Sequence, residues 1–147
     1  MDRDVNLRIS LVIPVYCEAN RVEQAAAKLT RLLARMRKQH DVEVILVTDV
    51  SPDNTAELLK TAFAGDAQVR IISQKMQRGL GQALRTGFSH ATGDIVITTD
   101  FDQNYNLNTI PQILAHLLVY DVDLVTASPY HPKGGVEGAP AYQRLFS

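Results

Sequence analysis

The sequence predicts an α/β domain built on a doubly wound, mostly parallel sheet. Short β-rich runs recur at 8–15, 42–47, 69–73 and 94–99, and stretches with helical spacing separate them. The first run has Leu11-Val12-Ile13 in succession rather than alternating apolar with polar residues. Strands buried on both faces read this way, and their alternation with helices implies βαβ units covered on both sides.

Each element has its own signal. The strand at 8–15 meets Pro14, where pairing must stop. From Asn20, the apolar positions Val22, Ala25, Ala26, Leu29, Leu32, Leu33 and Met36 step by three and four. With Asn20 as N-cap and Glu23 three residues on, this is a long amphipathic helix. After the strand at 42–47, Ser51 is a cap for a helix whose first position is Pro52 and which ends near Gly65. The strand at 69–73 leads to a helix opening at Gly79-Leu80-Gly81, with Leu80, Ala83, Leu84, Phe88 and Ala91 as its buried face. The strand at 94–99 is followed by a helix carrying Ile110, Ile113, Leu114, Leu117 and Leu118 on one side, then by a fifth strand at 124–127.

The totals bound the function. The 147 residues suit one domain, and 46% hydrophobic with 21% charged residues is an ordinary globular composition. A formal net charge of -1 argues against nucleic acid as a partner. The single cysteine, Cys17, cannot form an internal disulfide and reads as a small filler. The first five residues have no signal-peptide character, and no apolar run reaches the roughly 18 residues that span a bilayer. The expectation is a cytoplasmic chain. His40, His90, His116 and His131 lack metal-ligand spacing and read as surface or packing residues.

The chemistry concentrates where the fourth strand ends in Asp100-Phe101-Asp102. Carboxylates beside a buried strand need a partner, and a hard cation such as Mg²⁺ or Mn²⁺ takes oxygen ligands together with a substrate phosphate. In open α/β sheets, ligands bind outside the carboxyl ends of the strands, which gathers Tyr16, Glu18, Asp49, Asp100 and Asp102 on one rim. A dinucleotide fingerprint is excluded because Leu84 stands where its third glycine would fall and the first turn, 14–18, has no glycine. The Gly79-Leu80-Gly81 turn is either a plain helix start or one whose free N–H groups meet a phosphate. An aspartyl-nucleophile phosphotransferase fits poorly, since its Asp-x-Asp follows the first strand with Thr or Val two residues on, where this chain has Asn104. What remains is a nucleotide-sugar site, with a metal offsetting charge on a departing diphosphate.

Four ordered segments resemble the inverting family 2 glycosyltransferases with the GT-A fold, closest to the polyprenyl-phosphate (dolichol-phosphate) mannosyltransferase branch. They are 11–19, LVIPVYCEA; 43–55, EVILVTDVSPDNT; 78–87, RGLGQALRTG; and Asp100-Phe101-Asp102. The resemblance implies a Rossmann-like GT-A domain over 1–147, comprising the nucleotide-sugar half and the start of the acceptor half, with a C-terminal part missing. It implies that Pro14, Tyr16, Glu18, Asp49 and Asp100 hold the nucleotide, and that Asp100 and Asp102, with Asn104, bind Mg²⁺ or Mn²⁺ and serve catalysis. It also implies an acceptor side at Arg144 and Ser147, with a polyprenyl phosphate acceptor at the membrane surface and a GDP- or UDP-linked donor. Departures are Cys17 for the usual Asn, Thr48 for the first Asp of Asp-Asp-Gly-Ser, and Pro129 for an arginine. The alternative is a fragment that binds nucleotide sugar and transfers nothing.

Overall fold

Four parallel strands form the sheet: β1 (Arg8–Val15), β2 (Asp41–Thr48), β3 (Val69–Ser73) and β4 (Ile95–Thr98), in the order β3-β2-β1-β4. The computed structural model describes residues 7–101 and 107–127. The chain divides into two compact units, Met1–Asn108 and Thr109–Ser147, and the sheet belongs to the first. β1 pairs with β2 from Arg8↔Asp41 through Val15↔Thr48 and with β4 from Ile9↔Ile95 through Val12↔Thr98. This register brings the ends of β1 and β2 level at one rim.

The two central strands carry the core. Leu11, Val12, Val42, Val44, Ile45, Leu46 and Val47 are wholly buried. Helices α1 (Val22–Met36) and α2 (Thr55–Ala62) pack on each other and reach β2 and β3 respectively, while α3 (Gly79–His90) lies over β1 and β2. Val12, Ile45 and Val47 form one cluster with Ala83 of α3. On α1, Leu29, Leu32 and Leu33 are buried; each such side chain contributes about 1.5–3 kcal/mol of hydrophobic stabilisation.

Strand positions follow the sequence reading closely, whereas helix starts depart from it. Asn20 does not cap α1: it sits in a 3₁₀ turn, Ala19–Arg21, and the helix begins at Val22 with no side-chain cap. Nor does Ser51 open α2 through Pro52. The helix starts at Thr55, because the Asp53 carboxylate accepts the Thr55 N–H at 3.2 Å and the Thr55 hydroxyl at 2.6 Å, and also binds the Ser51 hydroxyl. On α3, Leu80 and Phe88 are exposed, against expectation; Ala83 and Gly87 are buried, and Leu84 and Ala91 pack partly buried against the same cluster, as expected. A Cβ on Gly87 would lie 2.2 Å from Cγ1 of Val12, so the helix approaches β1 closely only at a residue without a side chain.

In the second unit, α4 (Ile110–Tyr120) buries Ile110 and Leu114 and ends at Asp121, whose left-handed backbone (φ 49°) directs its N–H to the Leu117 carbonyl. The fifth strand expected at 124–127 does not form. A strand requires a neighbour to take its backbone hydrogen bonds, and this segment pairs with none among the described residues. Among those residues no helix is long and apolar enough to cross a membrane.

At the amino end of the strands a buried carboxylate joins four segments. Glu43, on β2, accepts the Ser10 hydroxyl at 2.6 Å, the Thr92 N–H and hydroxyl at 2.8 Å each, and Arg70 at 2.8 Å. Ser10 in turn accepts the Gly93 N–H at 2.8 Å, and a Cβ on Gly93 would come within 2.6 Å of the Ser10 nitrogen. Burial pushes the Glu43 pKa up; the hydrogen bonds from Ser10 and Thr92, with the Arg70 charge, outweigh it and hold the pKa at about 2 against an ordinary 4.5.

Two predictions follow from this packing. Gly87→Ala gains about 1 kcal/mol of helix propensity but forces a methyl into the immobile Val12 side chain, at about 1–3 kcal/mol. Thermal unfolding should show net destabilisation, and the further loss caused by Gly87→Ala should be smaller in a Val12→Ala background than in the wild type. Because Glu43 is depressed in the folded state, its contribution is complete above pH 4.5 and lost as pH falls toward 2. Denaturant titrations of the wild type and Glu43→Gln across that window should converge at the acid end; curves separated by a constant amount would refute the assignment.

Candidate nucleotide-sugar site

Outside the carboxyl ends of β1, β2 and β4 lies a cleft of about 300 Å³, within the first unit. It is lined by Pro14, Tyr16, Glu18, Asp49 and Asp100, together with residues of the β3–α3 connection and α3. Five predicted nucleotide residues, drawn from three separate segments, therefore share one wall. Asp102, Asn104, Arg144 and Ser147 lie outside the described residues.

Tyr16, Glu18 and Asp49 are held by hydrogen bonds from neighbouring segments. Past β1 the chain turns through Cys17, whose φ of 51° is left-handed, a region where a non-glycine residue costs of order 1 kcal/mol and Asn is tolerated better than most. Cys17 is thus no buried filler: it is exposed, and its Sγ is 3.2 Å from the Ser51 hydroxyl. The next two residues are tied to the β2–α2 loop. Glu18 donates its N–H to the Thr55 hydroxyl at 3.0 Å, and Ala19 donates to the Asp53 carboxylate at 3.2 Å. The Ser51 and Thr55 hydroxyls, despite the adverse effect of burial, hold the Asp53 pKa at about 2, so this anchor stays ionised through neutral pH. Asp53 and Thr55 escaped the sequence reading, although Asp-x-Thr after a strand is a recognisable Asx-turn pattern.

Tyr16 is 46% exposed and presents its ring to the cleft, while its hydroxyl accepts the Gln77 amide at 3.0 Å. Interaction with the adjoining Cys17 side chain raises the phenol pKa from its ordinary 10.0. Asp49 is only 8% exposed. Its Oδ2 accepts the N–H groups of Gly79 at 2.9 Å and Arg78 at 3.1 Å, and its Oδ1 accepts the Val50 N–H at 3.0 Å. The Gly79 N–H is therefore engaged by a carboxylate and is not available to a phosphate, as one reading of the Gly79-Leu80-Gly81 turn had it. Gly79 has φ 77°, which explains a glycine at that position. Val15, Gln77, Leu80, Ala83 and Phe101 also line the cleft; Leu80 and Ala83 were expected only as the buried face of a helix, and none of the five was expected to hold a ligand.

The carboxylates on this wall, Glu18, Asp49 and Asp100, offer oxygen alone, the donor type of Mg²⁺ and Mn²⁺ and not of soft-metal sites. Among the described residues no group of three His, Cys, Asp or Glu side chains is placed to hold a metal ion. Asp100 nevertheless stands where the fourth strand meets the cleft, and the second carboxylate of its motif follows two residues later in the sequence.

Known proteins resemble this chain in sequence and fold. Glycosyl transferase family 2 matches residues 10–145. A dolichol-phosphate mannosyltransferase of Pyrococcus furiosus is 28% identical over 141 residues, which is 96% of this chain and 38% of that protein. Among solved structures, a mannosyltransferase from Pyrobaculum calidifontis in complex with GDP-Man and Mn²⁺ superimposes with a TM-score of 0.58. It is 27% identical and covers 66% of this chain and 28% of its own. Glucosyl-3-phosphoglycerate synthase from Mycobacterium tuberculosis, solved with Mn²⁺, UDP and glucosyl-3-phosphoglycerate, gives a TM-score of 0.60 at 25% identity, over 78% of this chain and 41% of its own. The chain thus spans well under half the length of these relatives. Its parallel sheet and flanking helices have the GT-A architecture, and the match across most of its residues establishes that the chain belongs to glycosyl transferase family 2.

Proposed function

We propose that this chain is the nucleotide-sugar-binding part of a hexosyltransferase that moves a sugar from a GDP- or UDP-linked donor to an acceptor with inversion. The observation that carries the reading is the convergence of Pro14, Tyr16, Glu18, Asp49 and Asp100 on one cleft at the carboxyl rim of a parallel sheet. The nucleotide relatives named above support it, as does the ordered set of four segments along the sequence.

In this reading the Tyr16 ring stacks on the nucleobase and the Glu18 carboxylate accepts from ribose hydroxyls, both held rigid by the Asp53–Thr55 anchor. Asp49 belongs to the same set through the turn it binds. Asp100 and Asp102, with Asn104, would hold Mg²⁺ or Mn²⁺; when bound, the cation offsets the negative charge that grows on the departing diphosphate. Transfer is a displacement at the anomeric carbon: the acceptor oxygen forms the new bond on the face opposite the leaving nucleoside diphosphate. An ionised lipid phosphate acceptor at the membrane surface needs no base to activate it, and Arg144 and Ser147 belong to the acceptor side.

The second reading is a domain that binds the donor without transferring sugar. Calorimetry with GDP, UDP and their sugar conjugates, with and without Mn²⁺, tests the first. Uptake of one nucleotide should depend on Mn²⁺, and Asp100→Ala should abolish the metal-dependent part, a weakening of tenfold or more, or about 1.4 kcal/mol. No uptake of any nucleotide at any Mn²⁺ concentration refutes the proposal; uptake without donor hydrolysis or transfer selects the second reading.

A further inference from the structure

We infer that a second pocket, beside the β3–α3 connection and separate from the nucleotide cleft, binds a phosphate dianion, either free or as the monoester of a small molecule.

This pocket encloses about 190 Å³ between the end of β3, the connection that follows it and α3. With ~30 Å³ for each water molecule it has room for roughly six of them, which suffices for one phosphate group on a short carbon stem. β3 is an edge strand, so no further strand covers this side among the described residues. From α3 come Gln82 and Thr86, four residues apart and therefore on one face of the helix. Ser73, Gln74, Lys75 and Arg78 line the pocket from the strand's end and the connection.

The chemistry of the lining selects an anion. All six of these side chains carry hydrogen-bond donors, and none is an acid. Lys75 and Arg78 bring two positive charges. Among the described residues the ion pairs belong to Arg8, Arg21, Arg37 and Arg70, so no carboxylate neutralises either cation. The Ser73 hydroxyl accepts the Thr48 hydroxyl at 3.0 Å, which leaves its own proton to donate. The Gln74 amide nitrogen is buried with no acceptor among the described residues. Native structures seldom leave such a donor unpaired, and an oxygen held in the pocket would satisfy it. Two cations match a dianion, and donors arriving from a strand, a connection and a helix match a tetrahedral group better than a flat carboxylate. Ile72 and Met76 add apolar surface for the stem of an ester.

The nucleotide cleft has the opposite sign. Glu18, Asp49 and Asp100 line it, with no Lys or Arg side chain among its described lining residues. The two cavities flank one connection: Gln77 and Gly79 line the cleft, while Arg78 between them lines the second pocket. Without a divalent cation, phosphate is therefore repelled by the cleft and drawn to the pocket.

Amide NMR of the 147-residue chain, titrated at constant ionic strength and without divalent cations, tests the assignment with two probes, inorganic phosphate and glycerol 3-phosphate. Shifts should saturate with a Kd of the order of 1 mM and centre on residues 73–75, 82 and 86, including the side-chain amides of Gln74 and Gln82. Lys75→Gln and Arg78→Gln should each weaken binding about tenfold. Lys28→Gln, on the exposed face of α1, should leave it unchanged. Tighter binding of glycerol 3-phosphate assigns the pocket to an ester, and equal or weaker binding to free phosphate. Shifts that rise without saturating, that centre on Tyr16 and Asp100, or that weaken as much in Lys28→Gln as in Lys75→Gln overturn the inference and leave the nucleotide-sugar reading untouched.

Discussion

Everything in the site descends from the parallel pairing of β1 with β2 on one side and β4 on the other. Because Val15 stands opposite Thr48, and Val12 opposite Thr98, the segments that follow three strands emerge at one rim. Residues as far apart in sequence as Pro14 and Asp100 become neighbours of one cleft. A slip of one residue in either pairing would carry each side chain to the opposite face of the sheet and shift the segment that follows it along the rim, so the site depends on this register.

The rim is furnished in two layers. The side chains that face the cleft, Tyr16 and Glu18, come from a short turn that could not hold its shape alone, since it passes through a left-handed cysteine. Its rigidity is borrowed from Asp53 and Thr55, which bind its N–H groups from the neighbouring loop. Asp49 performs the equivalent service for the β3–α3 connection. Two aspartates in one loop thus bind backbone instead of facing solvent, which gives the wall a fixed form.

Much of this was readable from residue order, and the exceptions share a cause. The strand runs at 8–15 and 69–73 stood out because continuous β-branched stretches have few other uses in a soluble fold. The acids at 49 and 100 stood out because carboxylates rarely end a buried run. The start of α2 was misplaced where one local bond outcompeted another: Asp53 took the Thr55 N–H and hydroxyl, and Ser51 became a ligand of Asp53 instead of a cap. The buried face of α3 was misjudged because a large apolar side chain announces itself, while Gly87, the residue that makes the contact, shows only as an absence of side chain. The segment at 124–127 has strand composition but no neighbour among the described residues, and composition cannot supply one.

Glu43 carries an implication for how the first unit comes apart. Its four donors sit on β1, β3 and the turn before β4, so withdrawing any one of these segments leaves the charge with fewer partners in a nearly dry interior. Detaching a strand there costs hydrogen bonds to the carboxylate as well as strand pairing. Glu43 thus resists fraying in each of the three segments it ties to β2.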